Sequence, residues 1–460
     1  MDRNAIADLE EWAERARRKP LVIRGARQVG KTTLVRLFAE GRFDLVELDF
    51  ERQPRLESFF TDNDPRRTLE LLEAHTGRPL QPGRTLLFLD EIQAAPRVFT
   101  ALRYFYETLP ELHVIAAGSL LELVLEQPAF SVPVGRIEYL HLGPMQFGEV
   151  LAAGGDPKLR DFLRDYALGE EIPDALHDKL LRRLETYLLV GGMPEAMAAY
   201  QESGSHRASE RVKSSILTTF HDDFGKYGPK VDAARLRKVF ERLPHLVGGK
   251  LKYVHLDREE RSKDLAHALR LLSLAGVVHP VHHSSANGVP LGAEASERVF
   301  KVLCLDVGLM STACGLSVLD LERADDLLLV NRGALAEQMV GQHLLHSAPS
   351  WEPPRLFYWA REQRGSAAEV DYVISQGQAI LPVEVKAGTT GTLKSLHLFL
   401  REKERSLAVR LWSGPPSLLD AETSLPGARR IPFRLLSLPL YLAGETRRLC
   451  GELNAALLSA

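Results

Sequence analysis

Residues 20–41 read "PLVIRGARQVGKTTLVRLFAEG", and their punctuation decides the fold of everything around them. "PLVIRGA" is a short apolar run of strand type, and "KTTLVRLFAEG" is a helical pattern with Gly41 after its end. Between them, Gly25, four residues, then Gly30, Lys31 and Thr32 match the spacing G-x-x-x-x-G-K-[ST]. Such a loop lets backbone N–H groups approach phosphates, and a lysine adds a point charge there. A chance glycine-rich turn is the alternative, and the strand–helix context speaks against it. The expected phosphate-binding set is Gly25, Ala26, Arg27, Gln28, Val29, Gly30, Lys31, Thr32 and Thr33, with the Thr32 hydroxyl as a Mg²⁺ ligand beside ATP.

Outward from this loop, "FDLVELDFE", "GRTLLFLDEIQ" and "LHVIAAGS" are further apolar strands, and "VFTALRYFYETL" is helical. Strand–helix alternation predicts a parallel sheet covered by helices, in an α/β fold. Asp90 and Glu91 end the second of these strands, where ligands bind in such sheets. Asp90 is the expected Mg²⁺ ligand and Glu91 the group that polarises the attacking water. The other reading of this pair is the opening of a following helix. Ser119, delivered by "HVIAAGS", is placed to sense the γ-phosphate. Arg136 in "VPVGRIEYL" either supplies charge to the transition state, in cis or from a neighbouring subunit, or stabilises the fold.

The chain has 460 residues, 45% hydrophobic and 26% charged, with a formal net charge of −3. That length predicts two to four domains, and that charge advertises no global nucleic-acid field. Three cysteines, Cys304, Cys314 and Cys450, form no CxxC pair and suit a reducing compartment. No uninterrupted apolar run reaches transmembrane length, and "MDRNAIADLEEWAERARRKP" has no apolar signal core, so the expectation is a cytoplasmic protein without a membrane partner.

The pattern turns helical from about Leu151, with "DKLLRRLETYLLVGGMPEAMAAYQES" read as two helices broken at Gly191-Gly192 and Pro194. Further on, "DAARLRKVFERLPHLVGG" and "RSKDLAHALRLLSLAGVVHPVHH" suggest helices followed by a small β-wing, resembling a winged helix. Arg242, Lys250 and Lys252 there would either touch DNA phosphates or lie solvated. "HPVHH" reads as exposed histidines on a hairpin in preference to a metal site, and "HDDF" as a helix end.

Together "GARQVGKTT", "LDEIQ", "AAGSLLE", "PVGRIEYLHLGPMQFGEVL" and "YLLVGGMPEA" resemble the bacterial and archaeal AAA-type ATPases with an uncharacterised C-terminal domain. The resemblance runs from about Pro20 to Leu400, with Ala26 standing where that family often has proline. It implies an ATP-binding core, a helical lid that brings the Gly191–Pro194 turn near the nucleotide, a winged-helix-like segment and a nuclease-like end. It names no substrate.

The end carries "EVDYVISQGQAILPVEVKAG", residues 369–388. Asp371 lies in one strand, and Glu384 and Lys386 sit at alternate positions of the next, on one face. A hairpin turning at "SQGQ" would bring them together, and helical Glu337 would join, with Glu369 a second candidate. This order resembles the PD-(D/E)XK nucleases. There two carboxylates, here Asp371 and Glu384, would fix Mg²⁺ beside a phosphodiester, and Lys386 would orient water. Nuclease-like folds also serve as binding modules, and Lys394 reads more simply as solvent-exposed.

The expected division is residues 1–150 for the P-loop core, 151–230 for the lid, 231–317 for the winged-helix-like segment and 318–460 for the nuclease-like domain. The function expected is ATP hydrolysis that regulates a nucleic-acid-processing module. The alternative is a nucleotide-dependent switch or scaffold that binds DNA or a protein without cutting. DNA is favoured over RNA as a partner, and a homo-oligomer is allowed.

Overall fold

A computed structural model describes residues 3–126, 132–227, 232–316, 325–363, 366–388, 392–425 and 430–458. The first sheet is built from β1 (Leu21–Arg24), β2 (Asp44–Asp49), β3 (Thr85–Asp90), β4 (His113–Ala117) and β5 (Glu138–His141), in the order β2-β3-β4-β1-β5. Every pairing in it is parallel. All six residues of β3 and all five of β4 are buried, as expected where helices cover both faces. All the strands point the same way, so whatever follows a strand gathers at one edge of the sheet. Whatever precedes a strand gathers at the other.

The helix Lys31–Ala39 begins directly after the glycine-rich loop. Gly30 caps it at φ 94°, in the left-handed region that glycine enters without a Cβ penalty. At Gly25, φ is 149°, and a Cβ there would meet the Leu142 carbonyl oxygen at 2.2 Å, so glycine is required for space as well as conformation.

The helices Asp174–Val190 and Pro194–Ser203 are separated by the Gly191–Met193 turn, and proline opens the second, where its missing N–H costs nothing. A helix at His206–Asp223 follows. The remaining strands form a mixed eight-stranded sheet: β6 (Val278–Ser284), β7 (Ala295–Cys304), β8 (Leu356–Gln363), β9 (Ser366–Gln376), β10 (Ala379–Val385), β11 (Leu407–Trp412), β12 (Ser417–Glu422) and β13 (Pro432–Pro439). Their order is β12-β13-β11-β10-β9-β8-β6-β7. β6 pairs in parallel with β8, Val281 opposite Leu356. The β6–β7 hairpin, read from sequence as a wing, is thus continuous with the C-terminal sheet. The expected division at 317/318 falls between strands of that one sheet.

The two sheets are joined by a continuous apolar core that includes Leu9, Leu34, Tyr187, Leu309, Met339 and Leu449. Polar links reinforce it. The Phe147 N–H donates to His343 Nε2 at 2.9 Å, and His141 N–H donates to the Ser350 carbonyl at 2.7 Å. Asp306, fully buried, caps the helix Val307–Ala313 through the N–H groups of Gly308 and Leu309. Its Oδ2 accepts from Gly192 N–H at 2.6 Å and from Gln342 at 3.4 Å. A buried carboxylate held by several donors is stabilised where it sits, and here it fastens the Gly191–Met193 turn to the helix Asp325–His346. Among the described residues, no helix is long and apolar enough to cross a membrane.

Candidate functional sites

Gly25 to Thr33, Asp90, Glu91 and Ser119 all follow or end strands β1, β3 and β4, so parallel topology delivers them to one edge. β4 lies between β1 and β3, which sets Ser119 between the loop and the acids. A cavity of about 620 Å³ opens there, with Gly30, Lys31, Thr32, Glu91 and Ser119 among its lining residues. The Thr32 hydroxyl donates to Asp90 Oδ2 at 2.7 Å, and Ser119 Oγ donates to Glu91 Oε2 at 3.1 Å. Lys31, 8% exposed, donates from Nζ to the Gly25 and Ala26 carbonyls at 2.9 and 2.8 Å. Burial pushes its pKa down to about 8, against the pull of Glu91 and Asp90. Burial likewise raises Asp90, and the neighbouring Glu91 charge adds to it. A hydroxyl and a buried carboxylate side by side, the carboxylate raised by burial, suit a hard divalent cation.

Further residues meet this site. Gln93 donates to Glu91 Oε2, and Glu91 itself sits at φ 50°, a costly conformation for a non-glycine residue. Arg3, just before the helix Ala5–Glu14, donates to the Val29 carbonyl of the loop at 2.9 Å and to the Gly143 carbonyl at 2.7 Å. Its Nε pairs with the buried Glu149 at 3.0 Å. Arg27 reaches across to Asp223, the "HDDF" acid at the end of His206–Asp223, at 2.9 Å. Pro194 and Glu195, just past the glycine turn, line the same cavity.

Arg136 does not join the site. It precedes β5, near where Glu138 N–H bonds the carbonyl of Pro20 ahead of β1, and so lies at the opposite sheet edge. There it pairs with Glu107 at 2.9 Å and approaches the Tyr106 ring. The reading of Arg136 as a transition-state charge in cis is corrected by that placement.

The second cluster forms on the C-terminal sheet. β9 and β10 pair antiparallel with Ala379 opposite Gln376, which places the hairpin turn at Gly377-Gln378. Asp371 Oδ2 accepts from Val385 N–H at 2.8 Å, and Lys386 Nζ bonds Glu384 Oε1 at 2.7 Å. Glu384 Oε2 is buried without a hydrogen-bond partner. Burial, then the charge of Asp371, pushes Glu384 up to about 7. Glu337 arrives from the helix Asp325–His346, and burial with the charges of Asp371 and Glu369 raises it to about 8 despite Lys301. Asp371, Glu384, Lys386 and Glu337 are thus brought together.

What the sequence reading lacked is Lys301. This β7 residue is 1% exposed and bonds Glu337 Oε1 at 2.6 Å and Glu369 Oε1 at 2.7 Å, with Asp371 Oδ1 at 3.6 Å. Burial alone would lower its pKa, but Glu337, Asp371 and Glu369 outweigh that and keep it charged. Lys250 joins at 3.5 Å from Glu369. Arg242 is spent on the His255 carbonyl, and Lys394 is exposed. The histidines of "HPVHH" are half-buried in β6 instead of exposed, with His279 against His346 and His283 on the Ala360 carbonyl. Among the described residues, no group of three or more His, Cys, Asp or Glu side chains is arranged to hold a metal ion.

Residues 17–151 match the profile of the AAA domain. With the parallel sheet and the strand–loop–helix around Lys31, this region is a P-loop domain of the AAA type. Residues 181–320 and 332–412 match two domains of unknown function, DUF8612 and DUF4143. No curated protein matches the chain. Among solved structures, a Walker-type ATPase of Pyrococcus abyssi is 16% identical, covering 68% of this chain and 95% of its own at a TM-score of 0.43. The ORC2 protein of Aeropyrum pernix in its ADPNP–ADP complexes is 14% identical, covering 68% and 94% at 0.33. The Aeropyrum pernix ORC1 protein in complex with DNA is 13% identical, covering 68% and 93% at 0.28. At such scores these likenesses carry no conclusion about function.

Proposed function

We propose that the chain is an Mg²⁺-dependent ATPase whose nucleotide state regulates a C-terminal nucleic-acid-processing module. The observation that carries the first half is the cavity beside the Gly25–Thr33 loop, lined by Thr32, which bonds Asp90, and by Ser119, which bonds Glu91. Thr32 and Asp90 would hold Mg²⁺, which supplies charge neutralisation at the phosphates when bound. Lys31 stabilises charge on the transferred phosphoryl group, and Glu91, aimed by Ser119 and Gln93, accepts the proton of the attacking water. A catalytic role for Arg136 requires a second copy of the chain.

The second half is supported by a run of contacts. The nucleotide cavity is lined by Pro194, its turn is bonded to Asp306, and Asp306 accepts from Gln342 on the helix that carries Glu337. At the far end, Asp371 and Glu384 with the orphaned Glu384 Oε2 suit one divalent cation, and Lys386 is placed to orient water at a phosphodiester of DNA, or less readily RNA. The second reading, a nucleotide-dependent switch or scaffold that grips DNA or a protein without cutting, is favoured by the Lys301 ammonium amid the same carboxylates. Labelled DNA and RNA incubated with Mg²⁺ or Mn²⁺, with and without ATP, separate the two. Cleavage abolished by Lys386→Ala and altered by Glu91→Gln supports the first. Intact ATP hydrolysis with no cleavage of either substrate rejects it for the second.

A further inference from the structure

The C-terminal cluster sets four carboxylates, Glu337, Glu369, Asp371 and Glu384, against three ammonium groups, Lys250, Lys301 and Lys386. The positive charges are not spread evenly. Lys386 bonds Glu384 Oε1 at 2.7 Å, and Lys250 lies 3.5 Å from Glu369. Lys301 sits at the centre, within 2.7 Å of two carboxylates and 3.6 Å of a third. It is 1% exposed and also lies 5.7 Å from the Tyr358 ring centroid, so no water shell competes for its charge. A cation surrounded by three carboxylates, one from a helix and two from β9, occupies the place a metal takes in an oxygen-ligand site. On the other side of Asp371 the situation is reversed. Glu384 is 6% exposed, and its Oε2 has no partner, so the deficit of positive charge is local to the Asp371–Glu384 side.

We propose that Lys301 is a resident cation that fills the seat formed by Glu337, Glu369 and Asp371, so that this module takes a single divalent ion, on the Glu384 side of Asp371. Enzymes that cleave phosphodiesters with paired metals hold the two ions about 4 Å apart, each between carboxylates. Here one member of such a pair is replaced by a covalently attached ammonium, which cannot dissociate and cannot carry a water nucleophile. The proposal rests on the reading of Asp371 and Glu384 as the divalent-ion ligands. It assigns Glu337 to Lys301 instead of to the metal.

The test is the stoichiometry of Mn²⁺ bound to the nucleotide-free full chain, counted from the free-Mn²⁺ spin-resonance signal, with Asp90→Asn run in parallel to subtract any ion at the P-loop. The wild type is expected to bind one Mn²⁺ at the C-terminal cluster, lost in Glu384→Gln and kept in Glu337→Gln. Lys301→Met is expected to bind one additional Mn²⁺ and to gain more in melting temperature from Mn²⁺ than the wild type does. A folded Lys301→Met that gains no ion overturns the proposal. Loss of the wild-type ion in Glu337→Gln overturns it too, and that variant decides the matter if Lys301→Met does not fold. A wild type that binds no ion, beside a Lys301→Met that binds one, sinks the divalent-ion reading of Asp371 and Glu384 while leaving Lys301 as the resident cation.

Discussion

The two clusters gather their charged groups by opposite means. At the P-loop the donors come from one continuous stretch of backbone, and a single buried lysine is held by carbonyls of its own loop. At the C-terminal sheet, carboxylates from a helix and two strands converge, and lysines from two other segments neutralise them. The loop of the first is local in sequence, although Asp90, Glu91 and Ser119 reach it from other strands. The second draws its charges from several separated segments. Local sites survive drift in the rest of the fold, whereas an assembled site depends on every element that feeds it.

That contrast can be broken at several points. The largest effect is expected from Glu91→Gln, which should cut ATP turnover by roughly 10²–10⁴-fold while ATP still binds, read by steady-state hydrolysis beside nucleotide titration. Arg3→Met removes the charged partner of Glu149 in a pair whose side chains are 7% and 5% exposed. It should cost about 1.5–3 kcal/mol in urea unfolding, because Glu149 loses a charge-assisted bond while keeping the Asn4 and Gln146 N–H groups. A small loss there would mean that the loop does not depend on this distant clamp.

Acid tests the join between the two regions. His343 donates from Nδ1 to the Met339 carbonyl and accepts the Phe147 N–H at Nε2, so it is neutral, and a second proton would break the link. Burial holds His343 down at about 4 and His346 at about 3, against an ordinary 6.5. The unfolded chain therefore takes up protons first as pH falls. Stability present above 6.5 should be lost between 6.5 and 4, by at most about 2 kcal/mol per histidine at pH 5, in melting curves recorded across that range. The raised Glu337 and Glu384 act in the opposite direction over the same range, so the histidine share is read as the difference between the wild type and His343→Gln, and no difference would detach His343 from the stability of the join. The smallest effect is expected from Arg136→Ala. Its pair with Glu107 is exposed, 41% and 30%, so stability should change by less than about 1 kcal/mol. Turnover that drops and recovers on mixing with Glu91→Gln chains would place Arg136 in a neighbour's site.

Much of the P-loop site was legible because its geometry is written in consecutive residues and in acids that end strands. Arg136 was left between a transition-state role and a fold-stabilising one, although the signal that decides against the first in cis was present. A residue just before a parallel strand lies opposite those just after one. Arg3 and Asp223 were beyond reach, since nothing local announces a partner some 26 to 196 residues away, as for the Arg3–Val29 and Arg27–Asp223 contacts, whereas Gln93 sits two residues from its partner Glu91 and was passed over. Lys301 was different. A lysine inside "RVFKVLCL" is a charge in an apolar strand, which must find partners when buried, and the acids of β9 were the available ones. The hairpin that joins the C-terminal sheet was missed because strand pairing between β6 and β8 is non-local and leaves no trace in either strand.

That pairing has a practical consequence for anyone dividing the chain. β6 covers the edge of β8, so a fragment beginning at residue 318 would present an unpaired row of backbone donors and acceptors along β8. It would also lose Lys301 and strand three carboxylates in the process. Such a fragment should associate through that edge in solution, and a fragment beginning before the hairpin is the smaller piece with a closed sheet.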